Sequence, residues 1–317
     1  MSTSNFLTKD EALGFLAEKL HISFSGPDAC RPSRELLQQI CSAYCHEIPF
    51  TTVYTYNIPA GQRRAETHDE IKRRGLQGVG GLCYYLNVFL HWILVEMGFK
   101  VHFQTTTIFS ATDNGHLVNI VHLEEDGKRY LIDGSCMPFT SERLICLDFE
   151  GPISPTILQT IHEVRVVHQL VDGPADQFAV EFRWANGTGL HPAAKVSADG
   201  WIQAIHFPIK YRSLEELPQV LQLGTWYDDP TGILFFSRLF TRRFKAGKII
   251  MVRDTMLTLQ DETRKRIDVP ITSRRQWLSV MAEHFGDVIS MEDLQRTMEN
   301  YIRLTASTEL PDGFCEI

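Results

Sequence analysis

The sequence predicts an α+β chain of several domains, in which helical segments come first, a run of strands follows, and a mixed segment ends the chain. Apolar residues at three- and four-residue spacings indicate helices up to Phe99. From Val101 the pattern changes to short strands with Gly and Pro turns, typical of a barrel or closed sheet. The 317 residues exceed one usual core, since domains typically hold about 100 to 200 residues. We expect a helical domain over 1–98, a β-barrel domain over 99–210 and an α/β domain over 211–317.

Three helices are expected in the first of these domains. Thr8 and Glu11 form a capping-box pattern that begins the first helix. The second carries an apolar stripe made of Leu36, Leu37, Ile40, Ala43 and Tyr44. The third covers the apolar run 84–99 and should be buried along one stripe, with Cys83 in its first turn. That stripe consists of Leu86, Phe89, Leu90, Ile93, Leu94 and Met97.

Strands and then mixed elements are expected in the remaining chain. The strand patterns cover 103–109, 117–123, 130–132, 164–168, 178–184, 201–207, 248–252 and 256–259. Ser273 begins a helix that reaches Phe285, and Ser290 begins another that reaches Ile302. A basic run is interpreted as a solvated face; it consists of Arg238, Arg242, Arg243, Lys245 and Lys248.

Charge and composition exclude several classes of protein. The formal net charge of -8 argues against a nucleic-acid partner. No run of 18 apolar residues and no signal-peptide pattern occurs, so we expect a soluble, cytoplasmic protein without a membrane partner. Seven irregularly spaced cysteines fit a reducing compartment. Cys41, Cys45 and His46 are spaced like metal ligands, but no second pair follows, so no metal is expected.

Cys83 is the candidate nucleophile. It follows Gly80 and Gly81 and opens the third predicted helix. Free backbone N–H groups and the positive end of the helix dipole favour a thiolate there. Glycines before the sulfur permit a tight turn and close approach of a substrate. The alternative is a buried structural cysteine that happens to begin a helix.

His116 and Asp133 are the candidate partners of Cys83. His116 is placed at the beginning of one strand, and Asp133 ends the next strand after a turn with the sequence Asp126-Gly127. Antiparallel pairing then brings both residues to the same end of the hairpin. A nucleophile, a base and an orienting carboxylate form a catalytic triad.

These motifs resemble the arylamine N-acetyltransferase family, of which the chain would be a divergent member. The family pattern Arg-Gly-Gly-x-Cys-x-Glu corresponds to 79–85, with Val79 in place of Arg and Tyr85 in place of Glu. Gly115-His116 and Asp133-Gly134-Ser135 correspond to the later motifs, although the loop that continues to Cys136 departs from the family form. The segments 46–50, 226–230 and 237–241 are also similar, with Thr51-Thr52-Val53 replacing the usual Glu-Asn-Leu.

The resemblance implies a fold, an activity and ligands. The fold would be a helical bundle, a β-barrel and an α/β lid, with a Cys-His-Asp core like that of cysteine proteases. The enzyme would move an acetyl or other acyl group from acyl-CoA, most simply acetyl-CoA, through a Cys83 thioester by a ping-pong mechanism. An arylamine, hydrazine or related amine or hydroxyl compound would accept it. Phe50 would form a wall of the substrate pocket, and no residue is assigned to CoA.

Three alternatives stay open. The first is a cysteine hydrolase with the same triad, although His116 follows Cys83 by 33 residues and papain-like proteases separate the two by about 130 to 150. The second is a specialised acyltransferase or amide-forming enzyme with a non-acetyl donor, which the neutral Val79 and Tyr85 leave open. The third is a silent, ligand-binding member of the fold, against which the complete triad argues.

Overall fold

The computed structural model describes residues 6–26, 30–108, 112–135, 142–159, 162–169, 177–184, 197–223, 238–245, 247–261, 263 and 265–305. The chain divides into two units. Unit 1 contains Met1–Cys45 and Cys83–Leu221, and unit 2 contains His46–Leu82 and Gln222–Ile317. The three segments predicted from the sequence, with boundaries at 98 and 210, stay a prediction.

The described helices and strands are numbered in chain order. The helices are α1 (Lys9–Glu18), α2 (Arg34–Glu47), α3 (Val53–Tyr56), α4 (His68–Gln77), α5 (Cys83–Glu96), α6 (Leu217–Val220), α7 (Arg274–Phe285) and α8 (Met291–Thr305). The strands are β1 (Phe50–Thr51), β2 (Lys100–Ile108), β3 (Thr112–Leu123), β4 (Lys128–Ile132), β5 (Ile145–Cys146), β6 (Ile157–Leu158), β7 (His162–Gln169), β8 (Gln177–Trp184), β9 (Ile202–Pro208), β10 (Tyr211–Arg212), β11 (Phe240–Lys245), β12 (Lys248–Arg253), β13 (Met256–Asp261) and β14 (Arg266–Pro270).

Unit 1 is built on one antiparallel sheet of barrel-like form. Its strands follow the order β5-β4-β3-β2-β9-β8-β7-β6, and β10 pairs with β2. The buried side chain of Gln159, next to β6, joins the two edges. Its Oε1 accepts hydrogen bonds from the backbone N–H groups of Glu142 and Arg143, and its Nε2 donates to the Arg143 carbonyl beside β5. The predicted closed sheet is thereby confirmed as a nearly closed one.

Helix α5 lies against β2 and β3 in the core of unit 1. The prediction of a single buried stripe was wrong, because every residue from Tyr84 to Leu90 is buried. The first half of α5 is therefore enclosed on all sides, as expected for a segment that is apolar all round, whereas Val95 near its end is exposed. Asn87 is an exception to this apolar composition and is fully buried. The helix therefore places a polar amide inside the core, one turn after Cys83.

The predicted hairpin after β3 is confirmed. Strands β3 and β4 pair from Asn119↔Ile132 to Leu123↔Lys128. The turn closes where the N–H of Gly127 donates to the Leu123 carbonyl at 2.9 Å. Gly127 has a φ of +69°, a conformation that glycine adopts without steric cost.

Unit 2 contains a five-stranded sheet in the order β1-β11-β12-β13-β14. Its core combines strand residues with α3, α7 and α8, and includes Trp277, Met281 and Phe285. Ser273 begins α7 by accepting a hydrogen bond from the Gln276 N–H at 3.2 Å, as the sequence predicted.

The basic run in unit 2 is a solvated face only in part: Arg238, Lys245 and Lys248 are exposed as predicted, but two arginines are not. Arg242 and Arg243 lie in β11 and are buried. Arg243 donates to both carboxylate oxygens of Asp287 at 2.9 Å and faces the ring of Phe285. A charge run read from sequence does not reveal a counter-ion some 40 residues away, and this one allows the guanidinium to be buried.

Helices α1 and α2 and the longer strands of unit 1 agree with the sequence predictions. The elements that were not predicted are α3, α4, α6, β1, β5, β6, β10, β11 and β14. Thr8 and Glu11 form the predicted capping box at α1. Helix α4 has a capping box of its own between Thr67 and Glu70. It buries only Ile71 and Gly75, which is too little for an apolar periodicity to emerge. Across the described segments, none of the helices has the length and apolar character required to span a bilayer.

Candidate active site

Cys83 is the first residue of α5, as the sequence predicted. Its side chain is half-buried, and the residue is a free cysteine. The first N–H groups of a helix have no intrahelical acceptor, so α5 presents donors and the positive end of its dipole at the sulfur. This position can stabilise a thiolate and an oxyanion formed next to it.

The glycine turn before Cys83 is held within unit 2. Gly80 has a φ of +80°, and a Cβ built on it would overlap the carbonyl oxygen of Pro49. The Gly81 carbonyl accepts from the Thr51 N–H at 3.0 Å. Arg74 donates to the Gly80 carbonyl at 3.2 Å, and its guanidinium also contacts Glu66. The backbone of this turn is therefore held by the segment that contains Pro49 and Thr51 and by the side chain of Arg74. No side chain can replace the hydrogen at Gly80.

His116 and Asp133 meet in the interior of unit 1. His116 Nε2 lies 2.9 Å from Asp133 Oδ2, and both side chains are buried. His116 does not begin its strand as predicted, because β3 starts four residues earlier, at Thr112. The residue pairs instead with Thr106 of β2, where the β3–β4 pairing has already ended. Asp133 directly follows β4, so its carboxylate reaches across the gap to the imidazole.

Electrostatics favour a charged pair of His116 and Asp133. Burial by itself lowers the pKa of His116, but the charge and hydrogen bond of Asp133, together with a hydrogen bond to Cys83, raise it to about 10. Burial raises the pKa of Asp133, yet the His116 charge and hydrogen bonds from His116 and Ser135 hold it well below its usual range. Since Nε2 faces Asp133, Nδ1 is the ring nitrogen left for Cys83. The three predicted triad residues are therefore brought together in unit 1.

The second oxygen of Asp133 is held by polar groups that the sequence analysis missed. Asp133 Oδ1 accepts from Asn87 Nδ2 at 3.1 Å and from the N–H and hydroxyl of Ser135 at 2.9 and 2.6 Å. Asn87 Nδ2 also donates to the carbonyls of Cys83 and Leu117 at 3.1 and 2.8 Å. The available signal was a lone amide four residues after Cys83 in an otherwise apolar run, because such residues share a helix face.

The other candidate residues lie elsewhere or outside the described residues. Phe50 belongs to unit 2, where it is buried, pairs with Arg242 and packs edge-on against Phe240 at 5.7 Å. Tyr85 is buried on α5. Val79 is half-buried and lines a cavity of about 490 Å³ within unit 2. Cys136 and the segments 226–230 and 231–237 lie outside the described residues.

No metal-binding arrangement occurs in the part of the chain that the structure describes: no three His, Cys, Asp or Glu side chains converge there. Cys41 and Cys45, whose spacing with His46 is ligand-like, are buried on α2. Burial raises the pKa of the Cys41 thiol well above its ordinary value. A thiol that stays protonated is a poor metal ligand, because metals bind the thiolate.

Comparison with known proteins identifies the family. Residues 35–294 match a family model described as N-acetyltransferase. A curated relative from Dictyostelium discoideum, "Probable arylamine N-acetyltransferase 3", is 31% identical over 133 residues. These residues amount to 36% of this chain and 43% of the relative, so the match spans less than half of the relative's length.

Solved structures of arylamine N-acetyltransferases have the same fold. The Salmonella typhimurium enzyme superposes with a TM-score of 0.71 at 15% identity, over 92% of this chain and 99% of that one. The Mycobacterium abscessus enzyme gives 0.72 at 16% identity, over 93% and 95%. The Mycobacterium marinum enzyme, in complex with CoA, gives 0.69 at 15% identity, over 90% and 98%.

The family model and the fold agree with the motifs around Cys83, His116 and Asp133. The resemblance stated from the sequence is thereby confirmed, and the low identities show how far this chain has diverged. The chain belongs to the N-acetyltransferase family and has the fold of the arylamine N-acetyltransferases.

Proposed function

We propose that this protein transfers an acetyl group from acetyl-CoA to an arylamine or a related amine, hydrazine or hydroxyl acceptor, through a thioester on Cys83. The single observation that carries the proposal is the buried His116–Asp133 pair, 2.9 Å apart, whose imidazole interacts with Cys83 at the start of α5. Family membership supports the transferase class, and the CoA bound to the Mycobacterium marinum relative supports the donor.

The first half-reaction would acylate Cys83. With the pKa of His116 raised to about 10, its imidazolium persists at neutral pH and provides the counter-charge for a Cys83 thiolate. The sulfur attacks the thioester carbonyl, and the N–H groups at the start of α5 stabilise the oxyanion. The bond from the carbonyl carbon to the CoA sulfur then breaks. His116 gives its proton to that sulfur, and CoA leaves as the free thiol.

The second half-reaction would return the enzyme to its starting state. The acceptor nitrogen attacks the Cys83 thioester while neutral His116 removes a proton from it. The bond between the acyl carbon and the Cys83 sulfur breaks and leaves a thiolate beside a reprotonated imidazolium. Asp133 keeps its negative charge throughout, holds Nε2 protonated and leaves Nδ1 to exchange the proton. Because CoA departs before the acceptor reacts, the kinetics are ping-pong.

Several finer assignments belong to the same proposal. Phe50 would form a wall of the substrate pocket, as the family resemblance implies. The three segments 1–98, 99–210 and 211–317 would act as helical bundle, barrel and lid around a core like that of cysteine proteases. We expect the protein to work in the cytoplasm.

Intact-mass measurement tests the proposal directly. The purified protein is mixed with acetyl-CoA without an acceptor, and the expected product carries one acetyl group on the peptide that contains Cys83. Cys83→Ala should abolish this adduct. Cys30→Ala is the matched control, since Cys30 is also a half-buried free cysteine.

The outcomes separate the proposal from its alternatives. Addition of an arylamine should remove the adduct and yield the acetylated amine. Rapid release of acetate without any acceptor would indicate a hydrolase instead. Acylation only by other acyl-CoA donors would keep the mechanism and change the donor, whereas normal turnover by Cys83→Ala would exclude the thioester.

A further inference from the structure

A row of polar side chains runs from Asp133 into the core of unit 1, between α5 and β3. Asn87 donates to Asp133, as described above. Asn119 Nδ2 donates to the Asn87 carbonyl at 3.0 Å and lies 3.4 Å from Asn87 Oδ1. Asn119 Oδ1 faces His91 Nδ1 at 2.9 Å. The row therefore reads His91, Asn119, Asn87, Asp133, and each neighbouring pair is hydrogen-bonded.

The direction of these hydrogen bonds is fixed by elimination. The amide nitrogen of Asn119 is used toward Asn87, so its oxygen must accept, and His91 must donate from Nδ1. His91 suits this role because burial is the main cause that lowers its pKa to about 4, and the ring is neutral at physiological pH. This contact satisfies Nδ1 of His91 within unit 1.

Backbone groups fix which way the Asn87 amide points, since Nδ2 donates to the Cys83 and Leu117 carbonyls, and the row through Asn119 reinforces that orientation. With Asn119 donating at its oxygen side and the Gly134 N–H donating to Oδ1 at 2.8 Å, Asn87 Oδ1 is held as an acceptor. Its Nδ2 must then point toward Asp133. A flipped amide would place an oxygen beside the Asp133 carboxylate, and both Asn87 and Asn119 are fully buried, where such a mismatch is costly.

We propose that His91 and Asn119 are positioning residues, which act through Asn87 to hold Asp133 in the orientation that His116 requires. The inference rests on the proposed function of the triad. None of the three touches a reacting atom through this row, so their effect is on the geometry and charge of the His116–Asp133 pair. The aromatic ring of His91 also stacks on Phe103, with centroids 3.7 Å apart, so packing is the competing explanation.

Two substitutions at one position separate hydrogen bonding from packing. His91→Phe keeps a ring that can stack on Phe103 and removes the donor to Asn119. His91→Gln keeps a donor and removes the ring. Asn119→Leu provides a further variant of similar volume that breaks the row at its centre. Thermal melting of each variant establishes that it is folded.

The readouts are kcat, KM and the pH dependence of iodoacetamide alkylation at Cys83. For His91→Phe we expect kcat to fall by about 10- to 100-fold with KM nearly unchanged, since small misplacements of catalytic groups have effects of this size. In His91→Phe, the pH range over which iodoacetamide alkylates Cys83 rapidly should be narrower than in the wild-type protein. His91→Gln should keep a kcat within about 3-fold of wild type, a difference of under 1 kcal/mol. Asn119→Leu should behave like His91→Phe.

The opposite ranking overturns the inference. If His91→Phe is active and His91→Gln is not, the ring acts by packing alone. If both keep full activity, or if both lose activity only in proportion to a lower melting temperature, the row has no positioning role. Alkylation of Cys83 needs no acyl donor, so the inference is tested even if acetyl-CoA proves not to be a substrate. A wild-type protein that is not acylated by acetyl-CoA contradicts the proposed donor and leaves this comparison intact.

Discussion

Replacing Asp133 with Asn changes one atom of the triad, and the contacts of Asp133 determine how this change affects the protonation of His116. Oδ1 accepts three hydrogen bonds, from Asn87 Nδ2 and from the N–H and hydroxyl of Ser135. The amide oxygen of Asn must occupy this position, because an NH₂ group there would face three donors. The NH₂ group is then directed at His116 Nε2, which must become an acceptor. The imidazole proton moves to Nδ1, on the side of Cys83.

Two losses follow from this rearrangement. The negative charge that raises the pKa of His116 disappears, while burial, which lowers that pKa, remains. The neutral ring also holds its proton on the nitrogen that must accept one from the substrate. In the serine triad the same change lowers turnover by about 10⁴-fold, so we expect a loss of about 10²- to 10⁴-fold here.

The assay combines single-turnover acylation by acetyl-CoA, alkylation of Cys83 across the pH range, and thermal melting. Asp148→Asn is the matched control, since Asp148 also pairs with a basic side chain, Arg129, but lies outside the triad. A folded Asp133→Asn protein with near-normal acylation would refute the reasoning. We expect the variant to fold, because the substitution leaves no unpaired buried carboxylate.

Three further predictions concern the turn, the buried arginine and the thiol. Gly80→Ala should lower the free energy of unfolding by about 2 to 5 kcal/mol, because the new Cβ combines a positive φ with an overlap with backbone. Gly127→Ala is the control: its φ is +69° but the space around its Cβ is open, so it should lower the free energy of unfolding by only about 1 to 2 kcal/mol. Equal denaturation midpoints for the two variants would contradict this prediction. Asp287→Asn should lower stability by about 1 to 3 kcal/mol at pH 7, because the buried Arg243 loses its counter-charge, and unchanged urea unfolding would show that the pair is dispensable. Alkylation of Cys83 should remain fast below neutral pH while the other cysteines react slowly, because the His116 imidazolium persists there and provides the counter-charge for a thiolate. A common rate profile for all cysteines would rule out the ion pair.

The sequence by itself determined the local features of the site. Glycines followed by an apolar run define the start of α5, so the place of Cys83 at that start can be predicted from neighbouring residues. The Asp126-Gly127 turn likewise fixes the hairpin that brings His116 and Asp133 to one end of unit 1. These are short-range effects of backbone conformation and periodicity, and they can be recognised without knowledge of the rest of the chain.

Only the tertiary structure decided which polar groups are buried and what they contact. Asn119 lies in β3 and His91 lies in α5, and an apolar residue would fit the local structure equally well at either position. Their roles depend on how α5 lies against β3. Arg243 is buried because Asp287, distant in sequence, provides its counter-charge. A buried polar side chain is stable only when its partners are present. Those partners come from other elements, so their arrangement is a property of packing rather than of local sequence.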